Sequence, residues 1–123
     1  MILAAARVFV RDVVEAKRFY AQTLALPLKA DGTKYGYCVF QAGSTEFVVE
    51  QVAENAPDEE QVLVGRFTGL SFAVPNAQDK YRELLAAGVA FTGAPEKQSW
   101  GGTLATLRDP AGNEIQVVEY PVA

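Results

Sequence analysis

The sequence predicts an α+β fold in which two tandem βαβββ modules, each covered by one helix, form a cup-shaped, half-open mixed sheet. Short alternating stretches typical of strands surround two stretches of helical periodicity. The order of these elements repeats, with about 64 residues between the expected helix caps Asp12 and Asn76. The predicted boundaries are residues 1–53 for the first module, 54–65 for a polar linker and 66–123 for the second, within one structural domain.

The first module is expected to begin with a strand over residues 3–10 and a helix that Asp12 caps. Apolar residues at helical spacing continue this helix for about three turns. The Leu26-Pro27 pair ends it, because proline cannot continue a helix. Three further strands are expected at residues 28–30, 35–40 and 46–52.

The second module repeats this order. A strand over residues 69–74 precedes a helix that Asn76 caps and Gly88 ends. A short strand at residues 89–93 follows, and a hairpin completes the module. The hairpin comprises strands at 103–108 and 114–120 around the turn 109–113.

Side chains alternate along a strand, so each sheet is expected to have one face covered by its helix and one uncovered face. Two such uncovered faces can close on each other. The residues predicted on them are Ala5, Arg7, Phe9, Glu46, Val48, Glu50, Gly69, Ser71, Ala73, Glu114, Gln116 and Val118.

Composition excludes several classes of function. The formal net charge is −4 and the 11 lysines and arginines are scattered, which is unlike a nucleic-acid-binding surface. The chain has no histidine, so it lacks the commonest general base and zinc ligand. Its one cysteine, Cys38, is expected to be a small apolar strand residue, and a single cysteine is consistent with a cytoplasmic protein. No apolar run approaches the ~18 residues of a membrane span.

Three stretches carry a resemblance to a known family. They are VFVRDVVEAKRFYAQTLALPL (8–28), GLSFAVPNAQDKYRELLAAGV (69–89) and SWGGTLATLRDPAGNEIQVVEY (99–120). With the paired modules, they resemble the vicinal oxygen chelate superfamily of glyoxalase I, extradiol dioxygenases, fosfomycin-resistance enzymes and bleomycin-resistance proteins. The last stretch is the most specific, and it is most similar to the bleomycin-resistance members.

Metal-dependent members of this family hold a divalent ion with histidine or glutamate side chains from four strands. The resemblance places those four positions at Ala5, Val48, Gly69 and Gln116. Only Gln116 has a side-chain donor atom, and one neutral carbonyl is a poor ligand for a divalent ion. We therefore expect no metal, no cofactor and no catalytic residue. Glu46, Glu50 and Glu114 could form an atypical metal site, but we favour their reaching solvent at the rim.

A cup of this kind is expected to bind a small molecule. The candidate ligand-binding residues are Arg7, Phe9, Tyr37, Trp100, Thr106 and Gln116. The aromatic residues would stack on a planar aromatic ligand, and Thr106 and Gln116 would donate and accept hydrogen bonds. For Phe9 a dimer interface is an equal alternative. For Arg7 we expect a protein carboxylate as partner, with an acidic ligand as the alternative. Gly101 and Gly102 would allow the Trp100 loop to move as a lid.

Three functions follow from these expectations. The preferred one is a metal-free small-molecule-binding protein that sequesters a drug. The first alternative is a superfamily enzyme of the lyase, isomerase or dioxygenase type, with displaced metal ligands or with acid–base chemistry at Glu50 or Glu114. The second is a dimeric interaction module without a ligand. The resemblance implies a homodimer, and the sequence leaves open whether the cup closes within one chain or across two.

Overall fold

The computed structural model describes residues 1–122. Within these residues the chain forms a four-stranded sheet, a five-stranded sheet and three α-helices, which confirms the predicted α+β class. It divides into two compact units. The first comprises Met1–Arg66 and Pro110–Asn113, and the second comprises Phe67–Asp109 and the chain from Glu114 onward. The module boundaries proposed from the sequence remain a prediction.

The sheet of the first unit has the strand order β1-β4-β3-β2. Its strands are β1 (Ala5–Val10), β2 (Leu28–Gly32), β3 (Tyr37–Ala42) and β4 (Thr45–Gln51). β1 is parallel to β4, while the β2–β3 and β3–β4 pairs are antiparallel. The parallel pair results from the helical crossover that follows β1.

The helix of the first unit is shorter and less regular than predicted. Asp12 caps α1 (Val13–Arg18) through hydrogen bonds from the Val14 and Glu15 amides. The chain then continues as a π-helical turn, Phe19–Thr23, in which Tyr20 is fully buried. The Tyr20 ring packs against Phe40 and Phe47 at centroid distances of 6.0 and 5.0 Å. This aromatic packing is long-range in sequence, so helical periodicity alone did not indicate the wider turn.

The linker between the predicted modules contains a short helix, α2 (Asp58–Gln61), where only a connector was expected. The Gln61 amide donates to the backbone carbonyls of Ala53, Glu54 and Ala56. One side chain therefore satisfies several backbone acceptors and holds the linker folded.

The sheet of the second unit has the order β5-β9-β8-β6, and β7 also pairs with β8. Its elements are β5 (Phe67–Ala73), α3 (Ala77–Ala86), β6 (Ala90–Phe91), β7 (Glu96–Lys97), β8 (Thr103–Arg108) and β9 (Glu114–Glu119). Asn76 caps α3 as predicted, by accepting a hydrogen bond from the Asp79 amide at 2.9 Å. The two-residue strand β7 was not predicted, because so short a segment shows no periodicity.

Burial follows the predicted alternation of covered and uncovered faces. Val8, Val10 and Val49 are buried, whereas Arg7 is exposed and Phe9 is half-buried. In the second unit Ile115 and Val117 are buried, while Glu114 and Gln116 are half-buried. Val118 is an exception: it lies on the Gln116 face but is buried, between Ala73 and Leu104 on the neighbouring strands.

Candidate functional site

Three of the candidate residues lie together on the uncovered face of the first sheet. Glu50 on β4 is the cross-strand partner of Phe9 on β1 and of Tyr37 on β3, so the two aromatic residues flank it. Arg7 donates to the Glu50 carboxylate at 2.9 Å, and its guanidinium lies 5.7 Å from the centre of the Phe9 ring. Arg7 therefore has the protein carboxylate that we expected as its partner. The Tyr37 ring lies against Gly32, its cross-strand partner on β2, so the aromatic ring covers glycine backbone.

The glutamates considered for an atypical metal site are each engaged in an ion pair. Glu46 pairs with Lys29, Glu50 with Arg7 and Glu114 with Arg108. All three are partly solvent-exposed, as expected for side chains at a rim. Within residues 1–122, no group of three or more carboxylate, cysteine or histidine side chains could hold a metal ion.

The family's metal positions do not fit a divalent ion in this chain. Ala5 and Val48 on the first sheet have no donor atom in their side chains. On the second sheet Gly69 has none, and its backbone is left-handed with a φ of 74°. This φ occurs at a register shift between Phe67 and Ser71, so a larger ligating residue would be strained there. Gln116 remains as one neutral donor, and its amide already donates to the Thr106 hydroxyl at 3.2 Å.

A pocket of about 310 Å³ lies in the second unit, at the edge of its sheet. It arises because β6 and β7 pair with the same side of β8 but out of register. Phe91 lies opposite Leu107, so continuous pairing would place residue 94 opposite Leu104. Glu96 pairs with Leu104 instead, so the segment between β6 and β7 contains two more residues than continuous pairing with β8 would need. Pro95 lies in this segment and cannot donate to the strand ladder, so the chain leaves the sheet and opens the pocket.

The floor of the pocket is formed by β8 and β9, and its wall by the chain from Thr92 to Gln98. Thr106 and Gln116 are cross-strand neighbours, and their side chains are hydrogen-bonded to each other. The Gln98 amide donates to the Glu96 carbonyl at 2.9 Å, which orients the Gln98 side chain. The lining residues are Thr92, Gly93, Ala94, Glu96, Gln98, Leu104, Ala105, Thr106 and Gln116. Most of the polar side chains in this lining carry an amide or a hydroxyl group, so the pocket suits a ligand that forms hydrogen bonds.

The candidate residues from the sequence thus fall into separate groups. Thr106 and Gln116 line the pocket of the second unit, and Arg7, Phe9 and Tyr37 share the face of the first sheet. Trp100 is not among the residues that line this pocket. Its ring lies over Gly102 and 6.1 Å from the Tyr120 ring, with half of the residue exposed.

Sequence reasoning missed the wall of the pocket, from Thr92 to Gln98. Its residues lie in a segment without periodicity: the sequence predicts only Thr92 and Gly93 to be part of a strand, and residues 94–98 have no predicted element. The one available signal was the Gly93-Ala94-Pro95 run, which is typical of a break at a sheet edge.

Two ionisable groups of the first unit have clear physical roles. Burial raises the pKa of the Cys38 thiol, and the nearby Asp31 carboxylate raises it further. Cys38 is a buried residue of β3, consistent with the small apolar strand residue that the sequence predicts. A hydrogen bond from Lys17 holds the pKa of Asp31 below its usual range, and hydrogen bonds from Thr33 add to this effect.

None of the helices within residues 1–122 is long and apolar enough to cross a bilayer.

Comparisons with known proteins agree with this fold. No curated protein matches the sequence significantly. A member of the glyoxalase/bleomycin resistance protein/dioxygenase superfamily from Sphaerobacter thermophilus DSM 20745 is 24% identical, with a TM-score of 0.80 and coverage of 98% of each chain. An antibiotic binding protein from Streptomyces sp. CB03234 is 25% identical, with a TM-score of 0.77, covering 99% of this chain and 97% of that one.

A lactoylglutathione lyase from Agrobacterium tumefaciens is 17% identical, with a TM-score of 0.76, covering 96% of this chain and 92% of that one, and shows the same fold. The family model for the Glyoxalase/Bleomycin resistance protein/Dioxygenase superfamily matches residues 2–117. The match covers nearly the whole chain and confirms the resemblance found in the sequence. The chain belongs to the Glyoxalase/Bleomycin resistance protein/Dioxygenase superfamily.

Proposed function

We propose that this protein binds a small molecule without a metal ion and acts by sequestering it rather than by converting it. The observation that carries this proposal is the pocket of about 310 Å³ beside the Thr106–Gln116 hydrogen bond. Its size is at the lower end of the range of about 300–1,000 Å³ for ligand sites. The similarity to an antibiotic binding protein supports a binding role for this chain.

The donor chemistry of the sheets favours binding over catalysis. The family's metal positions offer one neutral amide, and a divalent ion requires several oxygen or nitrogen ligands. The alternative of acid–base catalysis requires a carboxylate placed to move a proton. The candidates for this role, Glu50 and Glu114, each form an ion pair with an arginine: Glu50 with Arg7 and Glu114 with Arg108.

Several predictions about the ligand and the assembly belong to this proposal. Arg7, Phe9 and Tyr37 are proposed ligand contacts, because they group an aromatic pair with a polar ion pair on one accessible face. Such a face suits stacking on a planar aromatic compound. We also propose a homodimer and a cytoplasmic location.

Binding can be tested by replacing the Thr106 hydroxyl. The matched control is T103V on the same strand, since Thr103 lies three residues away and therefore on the opposite face. A ligand found in a thermal-shift screen of planar aromatic and peptide-like compounds should stabilise the protein by about 2.7 kcal/mol at 100 times its Kd. The T106V substitution should raise the Kd of that ligand about fivefold, because it removes one hydrogen bond with a net value of about 1 kcal/mol. Equal affinities of T106V and T103V would contradict the assignment of the site.

The metal-free part of the proposal has its own test. Protein purified without chelators should contain far less than one equivalent of any divalent metal by elemental analysis. One tightly bound metal ion per chain would contradict our interpretation of the mapped positions.

A further inference from the structure

Glu96 is the only charged residue among those that line the pocket of the second unit. It lies opposite Leu104 in the β7–β8 pair, and Leu104 is two residues from Thr106 on β8. Residues directly opposite each other in an antiparallel pair project from the same face, as do residues two apart on one strand. Glu96 therefore shares the face of the Thr106–Gln116 pair, while Lys97, its neighbour on β7, projects from the other face.

The Glu96 carboxylate differs from the other glutamates on the uncovered faces. Glu46, Glu50 and Glu114 are each paired with a lysine or an arginine of the same unit. Among residues 1–122, Glu96 takes part in no ion pair. Arg108, the nearest cation along the β8 face, is bound to Glu114 through both its Nε and Nη2 atoms at 3.1 Å. The pocket consequently carries one negative charge that this part of the chain does not neutralise.

The neutral groups around Glu96 are suited to the same kind of ligand. Because the Gln116 Nε2 group donates to Thr106, the Gln116 amide oxygen is directed away from that bond and can accept a hydrogen bond from a ligand N–H group. In the same way, the Gln98 Nε2 group donates to the Glu96 carbonyl and the Gln98 oxygen remains an acceptor. A carboxylate with two amide oxygens matches a head group that carries several N–H donors and a positive charge.

The geometry points to a pocket that selects organic cations with an amidinium, guanidinium or primary ammonium head, and Glu96 is the residue that determines this selectivity. The inference rests on the proposed function, since it names the class of ligand for the same site. An anionic ligand would meet the Glu96 charge with no cation among the lining residues to offset it. A neutral compound of the same shape would bind through the amide and hydroxyl groups alone.

Benzamidine, benzamide and benzoate test this inference, because they have the same planar ring and a head group that is cationic, neutral or anionic. Each is titrated into the ¹⁵N-labelled full-length chain, and the amide signals of Thr106 and Gln116 report on the pocket. The E96Q variant removes the charge and keeps the shape. The E59Q variant removes the same charge from an exposed glutamate of α2 in the other unit and serves as the matched control.

We expect benzamidine to bind about fivefold more tightly than benzamide at low salt, and benzoate to bind most weakly. The ratio is modest because Glu96 is exposed and its charge is screened, so it should fall as salt is added. E96Q should abolish the preference and E59Q should retain it. If benzamidine and benzamide bind equally at Thr106 and Gln116, the charge selectivity is wrong but the binding site stands. If benzamidine leaves both signals unchanged, the inference is overturned, and the proposed function then depends on the T106V test with a ligand from the screen.

Discussion

Replacing Asn113 with alanine should destabilise the first unit by an amount that its hydrogen bonds allow us to estimate. Asn113 is fully buried at the end of the turn between β8 and β9. Its Oδ1 accepts from the backbone amides of Gly65 and Arg66 at 2.9 and 3.4 Å. Its Nδ2 donates to the carbonyl of Phe9 on β1 at 2.7 Å. One side chain thus joins the first strand to the end of the linker.

The N113A variant would leave two amides and one carbonyl of the backbone without this partner. A buried polar group left unsatisfied costs about 1–3 kcal/mol, and the 3.4 Å contact is the weakest of the three. Water can enter the space of the lost side chain and restore part of this energy. We therefore expect a loss of about 2–4 kcal/mol in the free energy of unfolding, a large part of the 5–15 kcal/mol typical of a whole domain.

Urea denaturation of both proteins measures this loss, with N76A as the control. Asn76 caps α3 from an exposed position through one hydrogen bond, so N76A should cost only about 1 kcal/mol. Hydrogen exchange of the Gly65 amide should also accelerate in N113A more than exchange in the β3–β4 pair. A loss in N113A no larger than that in N76A would refute the reasoning that Asn113 joins these segments.

Three further predictions concern single positions. A lysine hydrogen bond lowers the pKa of Asp31 below its ordinary 3.8, so its stabilising effect is present above about pH 4 and is lost as the pH falls below it. The urea midpoint of D31N should therefore fall less steeply with decreasing pH than that of the natural chain. Parallel curves of midpoint against pH would argue against the Lys17–Asp31 pair. G69A should lower the free energy of unfolding by about 1–2 kcal/mol, because the φ of Gly69 is 74° and alanine is strained there. The control G93A should be nearly neutral, since Gly93 lies in open space with an ordinary φ. Equal effects of the two substitutions would contradict backbone strain at Gly69. G102A should displace the indole of Trp100, the only tryptophan, and shift its fluorescence emission; an unchanged spectrum would show that the ring does not lie over Gly102.

Much of the fold could be predicted from local patterns in the sequence. Asp12 and Asn76 were identified as helix caps because a short polar side chain before an apolar periodic stretch has a direct physical role there. The alternation around Val8 and Ile115 indicated which strand faces are buried, since side-chain direction follows from the strand itself. The turn that ends at Asn113 was recognised as the most specific part of the family resemblance, although its hydrogen bonds to Phe9 and Gly65 were not foreseen.

The site could be predicted only in part. Thr106 and Gln116 were both named as candidate ligand-binding residues, and the structure makes them cross-strand neighbours on one face of the second sheet. The pocket beside them depends on a two-residue mismatch between β6 and β7 along the edge of β8, which no periodic pattern encodes. Glu96 was not a candidate, because its position opposite Leu104 results from that mismatch.

The sequence by itself determined the α+β class, the family, the orientation of the strand faces and the lack of donor atoms at Ala5, Val48 and Gly69. These follow from residue identity and from periods of two and 3.6 residues, which act over a few neighbours along the chain. Only the tertiary structure decided which carboxylates are paired, where the pocket opens and what Asn113 holds together. Ion pairs such as Arg7–Glu50 and buried contacts such as Asn113–Phe9 join residues 43 and 104 positions apart, and such pairings exist only after the chain has folded.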